Sequence, residues 1–157
     1  MYPKLYIEYL YHFHYTRDYF ECHEVLEELW KSEKPIKRDS VWVGLIQLAV
    51  ALYHQRRDNF VGANKLISSA TEKMKNQKVE MEKIGIDYIE ILNLSNKIKH
   101  SIEIEASYQS YNLPIKDNRL RKELTEYASK QGINKIKYNV EDLKIIHRHL
   151  EPYRSMS

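Results

Sequence analysis

The sequence predicts an all-α fold, a compact helical bundle of two tetratricopeptide-like helical hairpins followed by further C-terminal helices. Apolar residues recur at three- and four-residue intervals through most of the chain, which is the pattern of amphipathic helices. Only four glycines and four prolines interrupt the 157 residues, so long helices are easily placed. Two segments about forty residues apart also resemble each other, and such a period is typical of helical-hairpin repeats.

Seven helices are predicted in order along the chain. Apolar stripes and flanking residues place them at about 3–14, 17–31, 40–57, 59–75, 83–104, 119–131 and 140–150. Thr16 is the expected N-cap of the second helix and Asp58 that of the fourth, and Asp39 or Ser40 would cap the third. The third helix is apolar almost all round, which indicates a central position. The segment 133–140 alternates between apolar and polar residues and is the one strand candidate.

The internal repeat compares segment 13–26 with segment 53–67. The matched pairs are His14/His54, Arg17/Arg57, Asp18/Asp58, Phe20/Phe60 and Leu26/Leu66. Each match falls on the turn and second helix of a predicted hairpin. Two antiparallel hairpins packed together would form a core of four to five helices.

The charge divides the chain into two predicted parts. Residues 1–107, the predicted helical bundle domain, carry a net charge of −1, and residues 108–157, a predicted basic C-terminal helical extension, carry +4. Because no dense basic stripe with stacking aromatic residues accompanies this charge, nucleic acid is not an expected partner. No apolar run approaches the roughly 20 residues that span a bilayer, so no membrane association is expected. The single cysteine, Cys22, fits a reducing, cytoplasmic compartment.

The stretch FECHEVLEELW stands out within the second predicted helix, because it holds one histidine and four glutamates. On a helix, His23, Glu27 and Trp30 share one stripe. Glu24 and Glu28 form a second stripe beside it. The apolar residues between them face inward, so we expect this polar set to lie at the edge of the core.

The third helix carries the polar residues expected to face this set. Gln47 and His54 share one stripe, and Gln47 interrupts an otherwise apolar run. A buried amide without partners costs about 1–3 kcal/mol, so we expect a histidine or glutamate of the neighbouring helix to bind it. The candidate polar or binding cluster consists of His23, Glu24, Glu27, Glu28, Trp30, Trp42, Gln47 and His54.

Three interpretations of this cluster stay open. In the first, Gln47, His23 and a glutamate form a buried hydrogen-bond network that fixes the helix register. In the second, His23, Glu27 and His54 supply nitrogen and oxygen ligands suited to Zn, Fe or Mn. In the third, the two tryptophans and several tyrosines wall a small-molecule or peptide pocket, and the carboxylates bind a basic group.

The segments YFECHEVLEELW and GLIQLAVALYHQRRDNFVGANKL together resemble the domain-of-unknown-function family numbered 309, a family of small all-helical proteins. The resemblance covers about residues 5–75 strongly and 76–105 loosely. Val43 departs from it, because the family usually has glutamine there. The resemblance implies a helical fold and no known activity. The site residues to which it points are His23, Glu24, Glu27, Trp30, Gln47 and His54.

We therefore expect a cytoplasmic, non-enzymatic helical binding or scaffold module. The alternative function is a metal-dependent, hydrolase-like enzyme centred on His23, Glu27 and His54, with a divalent Zn, Fe or Mn ion as its cofactor. The sequence leaves open whether the partner is a protein, a peptide or a second copy of the chain in a homo-oligomer.

Overall fold

A computed structural model describes residues 1–132, and it confirms the all-α fold. The helices in this range are α1 (Lys4–Tyr11), α2 (Tyr19–Lys31), α3 (Val41–Arg56), α4 (Phe60–Met74), α5 (Lys78–Lys83), α6 (Tyr88–Glu103) and α7 (Asn118–Lys130). A π-helical turn, His12–Thr16, follows α1. The predicted helix 140–150 and the strand candidate 133–140 lie outside the described residues. No helix among residues 1–132 is long and apolar enough to cross a membrane.

Helix α3 occupies the centre of the structure, as its uniformly apolar sequence predicts. It packs against both α2 and α4, while α1 packs on α2, α6 on α4 and α7 on α1. Two tyrosines also join α1 to α3. The hydroxyl of Tyr9 donates to the Leu45 carbonyl over 2.8 Å, and the ring of Tyr6 lies 5.0 Å from the indole of Trp42. The hairpins α1–α2 and α3–α4 therefore share one core.

The turns of these two hairpins have the same backbone conformation, and they correct the predicted alignment of the repeat. Arg17 and Asp58 both have positive φ angles, 58° and 59°. The next residues, Asp18 and Asn59, cap α2 and α4, because each side chain accepts a backbone N–H of the first helical turn. Equivalent residues at the turn are therefore 41 positions apart (58 − 17), not 40. The likeness of the hairpins to tetratricopeptide units stays a prediction.

Two of the predicted caps are wrong for a reason visible in these turns. Asp58 adopts the left-handed conformation that ends the preceding turn, so the capping position falls one residue later. Thr16 still belongs to the π-helical turn, and its hydroxyl accepts the backbone N–H of Asp18 over 3.2 Å. Ser40, by contrast, caps α3 as predicted.

The helix predicted at 83–104 begins later, at Tyr88, because the chain turns at Gly85, and the short helix α5 before this turn was not predicted. Gly85 has a φ angle of +81°, which favours glycine. A Cβ atom at this position would lie 2.8 Å from the Leu120 side chain and 3.0 Å from the Tyr2 hydroxyl. The break therefore lets the N-terminal segment and α7 approach the backbone closely, and Asp87 then caps α6.

The described part of the predicted extension, residues 108–132, packs on the bundle. The backbone N–H of Tyr2 donates to a carboxylate oxygen of Glu123 over 3.2 Å. The guanidinium of Arg17 donates to the Tyr111 carbonyl over 2.5 Å and to the Asn112 side chain over 3.0 Å. These contacts join the segment before α7 and α7 itself to the first hairpin. The domain boundary near residue 107 stays a prediction.

Candidate binding site on helix α2

Helix α2 presents the predicted acidic cluster at the edge of the core. Asp18 caps its N-terminus, and Cys22 and Leu26 point into the core with no exposed surface. His23 lies one position beyond Cys22 and is also buried, with 2% of its surface exposed. Glu24 is half exposed. Helical spacing therefore places a buried imidazole directly beneath a row of carboxylates.

His23 is held between two glutamates of its own helix. Its Nδ1 lies 3.3 Å from a carboxylate oxygen of Glu24, and its Nε2 contacts a carboxylate oxygen of Glu27. The second oxygen of Glu27 accepts a hydrogen bond from Lys31 over 2.7 Å. Although partial burial opposes ionisation, the bond from Lys31 and the neighbouring His23 keep the pKa of Glu27 below its ordinary value. Glu27 is therefore an ionised and doubly anchored carboxylate.

The carboxylates border a shallow, open depression of about 680 Å³ on the outer side of α2, which we call the acidic groove. The lining residues are Glu21, Glu24, Val25, Glu27, Glu28, Lys31 and Ser32. Four of the seven are glutamates and one is a lysine, so the groove carries negative charge. At the equivalent positions of α4, 41 residues further along, no acidic residue stands in place of Glu24, Glu27 or Glu28. Those equivalent residues are Lys65, Ser68 and Ser69.

Gln47 does not make the predicted hydrogen bond to this cluster. Its side-chain oxygen is buried and has no hydrogen-bond partner among residues 1–132. The predicted network of Gln47, His23 and a glutamate is therefore wrong in this respect. His23 faces Glu24 and Glu27 of its own helix, so the polar cluster is organised along α2 instead of between α2 and α3.

His54 lies at the end of α3 and belongs to the turn before α4. The Asn59 side-chain amide donates to its Nδ1 over 3.1 Å. Burial, together with the nearby Arg57, lowers the pKa of His54. Within the described range 1–132, no three histidine, cysteine, aspartate or glutamate side chains are grouped so that they could hold a metal ion. His23, Glu27 and His54 thus do not form the predicted ligand set there.

The two tryptophans do not line a common surface. Trp30 is half-buried, and its Nε1 donates to the Lys37 carbonyl over 2.7 Å, which ties the loop after α2 to the helix. Trp42 is only 8% exposed and belongs to the core. Its predicted role as a pocket wall is therefore wrong, because α3 is surrounded by other helices.

A cation between aromatic rings was missed by sequence reasoning. The guanidinium carbon of Arg56 lies 4.7 Å from the centre of the Tyr19 ring and 4.3 Å from that of Tyr108. Its nitrogens donate to the Arg17 carbonyl over 2.8 Å and to the Tyr108 hydroxyl over 2.7 Å. Arg56 therefore joins both hairpin turns to the segment before α7. The adjacent arginines in HQRRDN were the available signal, but arginine near a helix end usually faces solvent.

Comparison with known proteins places this helical core in a family. The family model described as Domain of unknown function (DUF309) matches residues 6–66. The uncharacterized protein YpuF of Bacillus subtilis (strain 168) is 50% identical over 120 residues, which cover 76% of this chain and 69% of that protein. The chain belongs to the DUF309 family. The DUF309 match begins in α1 and ends in α4, so it includes the acidic groove. No solved structure matches the chain.

Proposed function

We propose that this DUF309 protein is a non-enzymatic binding or scaffold module that recognises a cationic group of a protein or peptide partner in the acidic groove of α2. Lysine or arginine side chains are the ligands that such a groove would favour. The observation that carries the proposal is the anchoring of Glu27 by His23 and Lys31 at the groove, beside the half-exposed carboxylate of Glu24.

Pre-organisation is the physical reason why this arrangement supports recognition. A flexible surface glutamate loses side-chain entropy when it pairs with a ligand, and an exposed pair contributes only about 0–1 kcal/mol. Glu27 has already lost that freedom, because both of its oxygens are held. Glu24 and Glu28 lie one helical turn apart beside it and add negative charge. A cation entering the groove therefore meets several carboxylates, one of which is fixed in place.

The only thiol of the chain supports the non-enzymatic interpretation. Burial raises the pKa of the Cys22 thiol well above its usual value, and its Sγ donates to the Tyr9 carbonyl over 3.5 Å. Such a thiol is a poor nucleophile. As an unpaired cysteine, it also supports our proposal that the module acts in the reducing cytoplasm.

The proposal is tested with two fluorescein-labelled peptides of equal length, one of alternating arginine and glycine and one of alternating glutamate and glycine. Fluorescence anisotropy should show saturable binding of the arginine peptide alone, weakened as the salt concentration rises. The double variant Glu24→Gln/Glu28→Gln should weaken binding at least about tenfold, a loss of about 1.4 kcal/mol.

The matched control is Glu90→Gln/Glu103→Gln, which removes the same charge from exposed positions of α6. This control should bind like the unmodified protein. Equal losses in the two double variants would show attraction to overall charge, and unchanged binding in the α2 variant would place the site elsewhere. Either result would contradict the proposal.

A further inference from the structure

An open pocket of about 380 Å³, which we call the α7 pocket, lies where the π-helical turn, the segment 112–115 and α7 meet. Among the described residues it shares no lining side chain with the acidic groove. Polar groups reach it from all three elements: His14 from the π-helical turn, Asn112 from the segment, and Arg121 and Thr125 from α7. Its volume is in the range of small-molecule sites, and π-helical turns are frequent at functional sites.

We propose that the α7 pocket binds the oxyanion group, a carboxylate or a phosphate, of a small molecule. Two of its polar side chains have an acceptor atom already occupied by the protein. The Nε2 of His14 accepts the backbone N–H of Leu113 over 3.3 Å, so the hydrogen of the neutral imidazole is on Nδ1. The Oδ1 of Asn112 accepts from the guanidinium of Arg17 over 3.0 Å, which leaves the amide hydrogens as donors. A ligand group that only accepts hydrogen bonds suits such a set.

Arg121 supplies positive charge to the α7 pocket. Its guanidinium donates to the Asn118 side chain over 2.9 Å and to the Ile115 carbonyl, so two contacts hold it at the border. The guanidinium has further N–H donors for a ligand, and hydrogen bonds between ionised partners are stronger than neutral ones. Thr125 follows four residues later on α7 and adds a hydroxyl on the same face. Because Arg121 is exposed, water and salt weaken its attraction, and we expect millimolar affinity for a simple anion.

The charges around the α7 pocket favour an anion. Within residues 1–132, no carboxylate lines it. The acidic side chains nearest in sequence are placed elsewhere: Asp117 caps α7, and Glu123 and Glu126 line a separate groove between α1 and α7. Arg17, which holds Asn112, adds a second positive charge close by. Its charge reaches the pocket, since together with burial it lowers the pKa of His14 to about 3.

The test is an NMR titration of the full, isotope-labelled chain with sodium phosphate and, separately, with sodium acetate, at neutral pH and constant ionic strength. At least one of the two anions should shift the backbone amide signals of Leu113 and Thr125 in a saturable way. The anion that binds more tightly identifies the ligand group as a phosphate or a carboxylate. Sodium chloride should cause no saturable shift, because a chloride ion cannot accept from several separated donors at once. Absence of saturation with both oxyanions, or equal saturation with chloride, would overturn the proposal.

Three variants separate binding in the α7 pocket from attraction to overall charge. Arg121→Gln should weaken binding of the tighter anion at least about tenfold. The matched control, Arg38→Gln, removes the same charge from an exposed position before α3 and should bind like the unmodified protein. Thr125→Val keeps every charge and should weaken binding about threefold, because one hydroxyl donor is lost. Circular dichroism checks that each variant is folded. Equal losses in the two arginine variants, or unchanged binding in Thr125→Val, would contradict the proposal.

Discussion

Acidification is expected to destabilise the protein through His14, which joins the π-helical turn to the segment before α7. Its Nε2 accepts the backbone N–H of Leu113 over 3.3 Å, so the imidazole must be neutral in this arrangement. Burial, together with the positive charge of Arg17, lowers the pKa of His14 to about 3. Protonation would place a second cation beside Arg17 and remove the acceptor for Leu113.

The magnitude follows from the difference between the folded and unfolded pKa values of His14. Because the folded pKa, about 3, lies below the unfolded value of about 6.5, the stabilising contribution is present above about pH 6.5 and is lost as the pH falls toward 3. Between about pH 7.5 and pH 5 the free energy of unfolding should fall by at most about 2 kcal/mol. The full value is an upper limit, since His14 keeps some contact with solvent.

Urea denaturation at the two pH values measures this change. His14→Gln should reduce the acid loss, because its amide oxygen can accept a hydrogen bond and does not titrate. His100→Gln, at an exposed position on α6, is the control and should leave the loss unchanged. His54 acts in the same direction as His14, so the His14 variant should retain a smaller pH dependence. An acid loss as large in His14→Gln as in the unmodified protein would refute the reasoning.

Three further perturbations have defined outcomes. Arg56→Lys should lower the free energy of unfolding by roughly 1–3 kcal/mol, because lysine cannot reproduce the paired donors and the ring stacking of arginine. A double-mutant cycle with Tyr108→Phe should show energetic coupling between the two residues, and additive losses would contradict a direct interaction between them. His23→Ala should cost a similar amount in chemical denaturation, roughly 1–3 kcal/mol, because Glu27 loses a buried partner; an unchanged midpoint would contradict this. Calorimetric titration with Zn²⁺ should show no stoichiometric binding that depends on His54. Stoichiometric binding that is lost in His54→Ala would restore the metal interpretation.

The fold could be predicted because each helix has a local signature. The stripe of α2 and the uniformly apolar α3 were sufficient for an all-α arrangement with α3 at its centre. Boundaries depended on backbone conformations that residue type alone does not determine. Asp58 is a good cap by composition, yet it adopts a positive φ angle and leaves the cap to Asn59. Gly85 likewise delays the start of a predicted helix to Tyr88, because tertiary contacts require close approach at the turn.

The candidate site was predicted in part, because helical spacing places groups on one helix more reliably than it relates two helices. His23, Glu24 and Glu27 are together as predicted, since their separations of one and four residues fix their geometry. Gln47 and His54 lie on α3, and their partners depend on how that helix is rotated against α2. An apolar helix gives little information about this rotation.

The most direct test of the proposed function is a hydrogen-exchange footprint of the arginine peptide on the unmodified protein. Peptide binding should slow exchange in Tyr19–Lys31 and the loop that follows it, and leave Phe60–Met74 of the second hairpin unchanged. Helix α4 is an internal control, because it occupies the equivalent place in its hairpin and lacks the glutamates of the groove. Protection of α4 to the same extent, or of α7 in place of α2, would contradict the account.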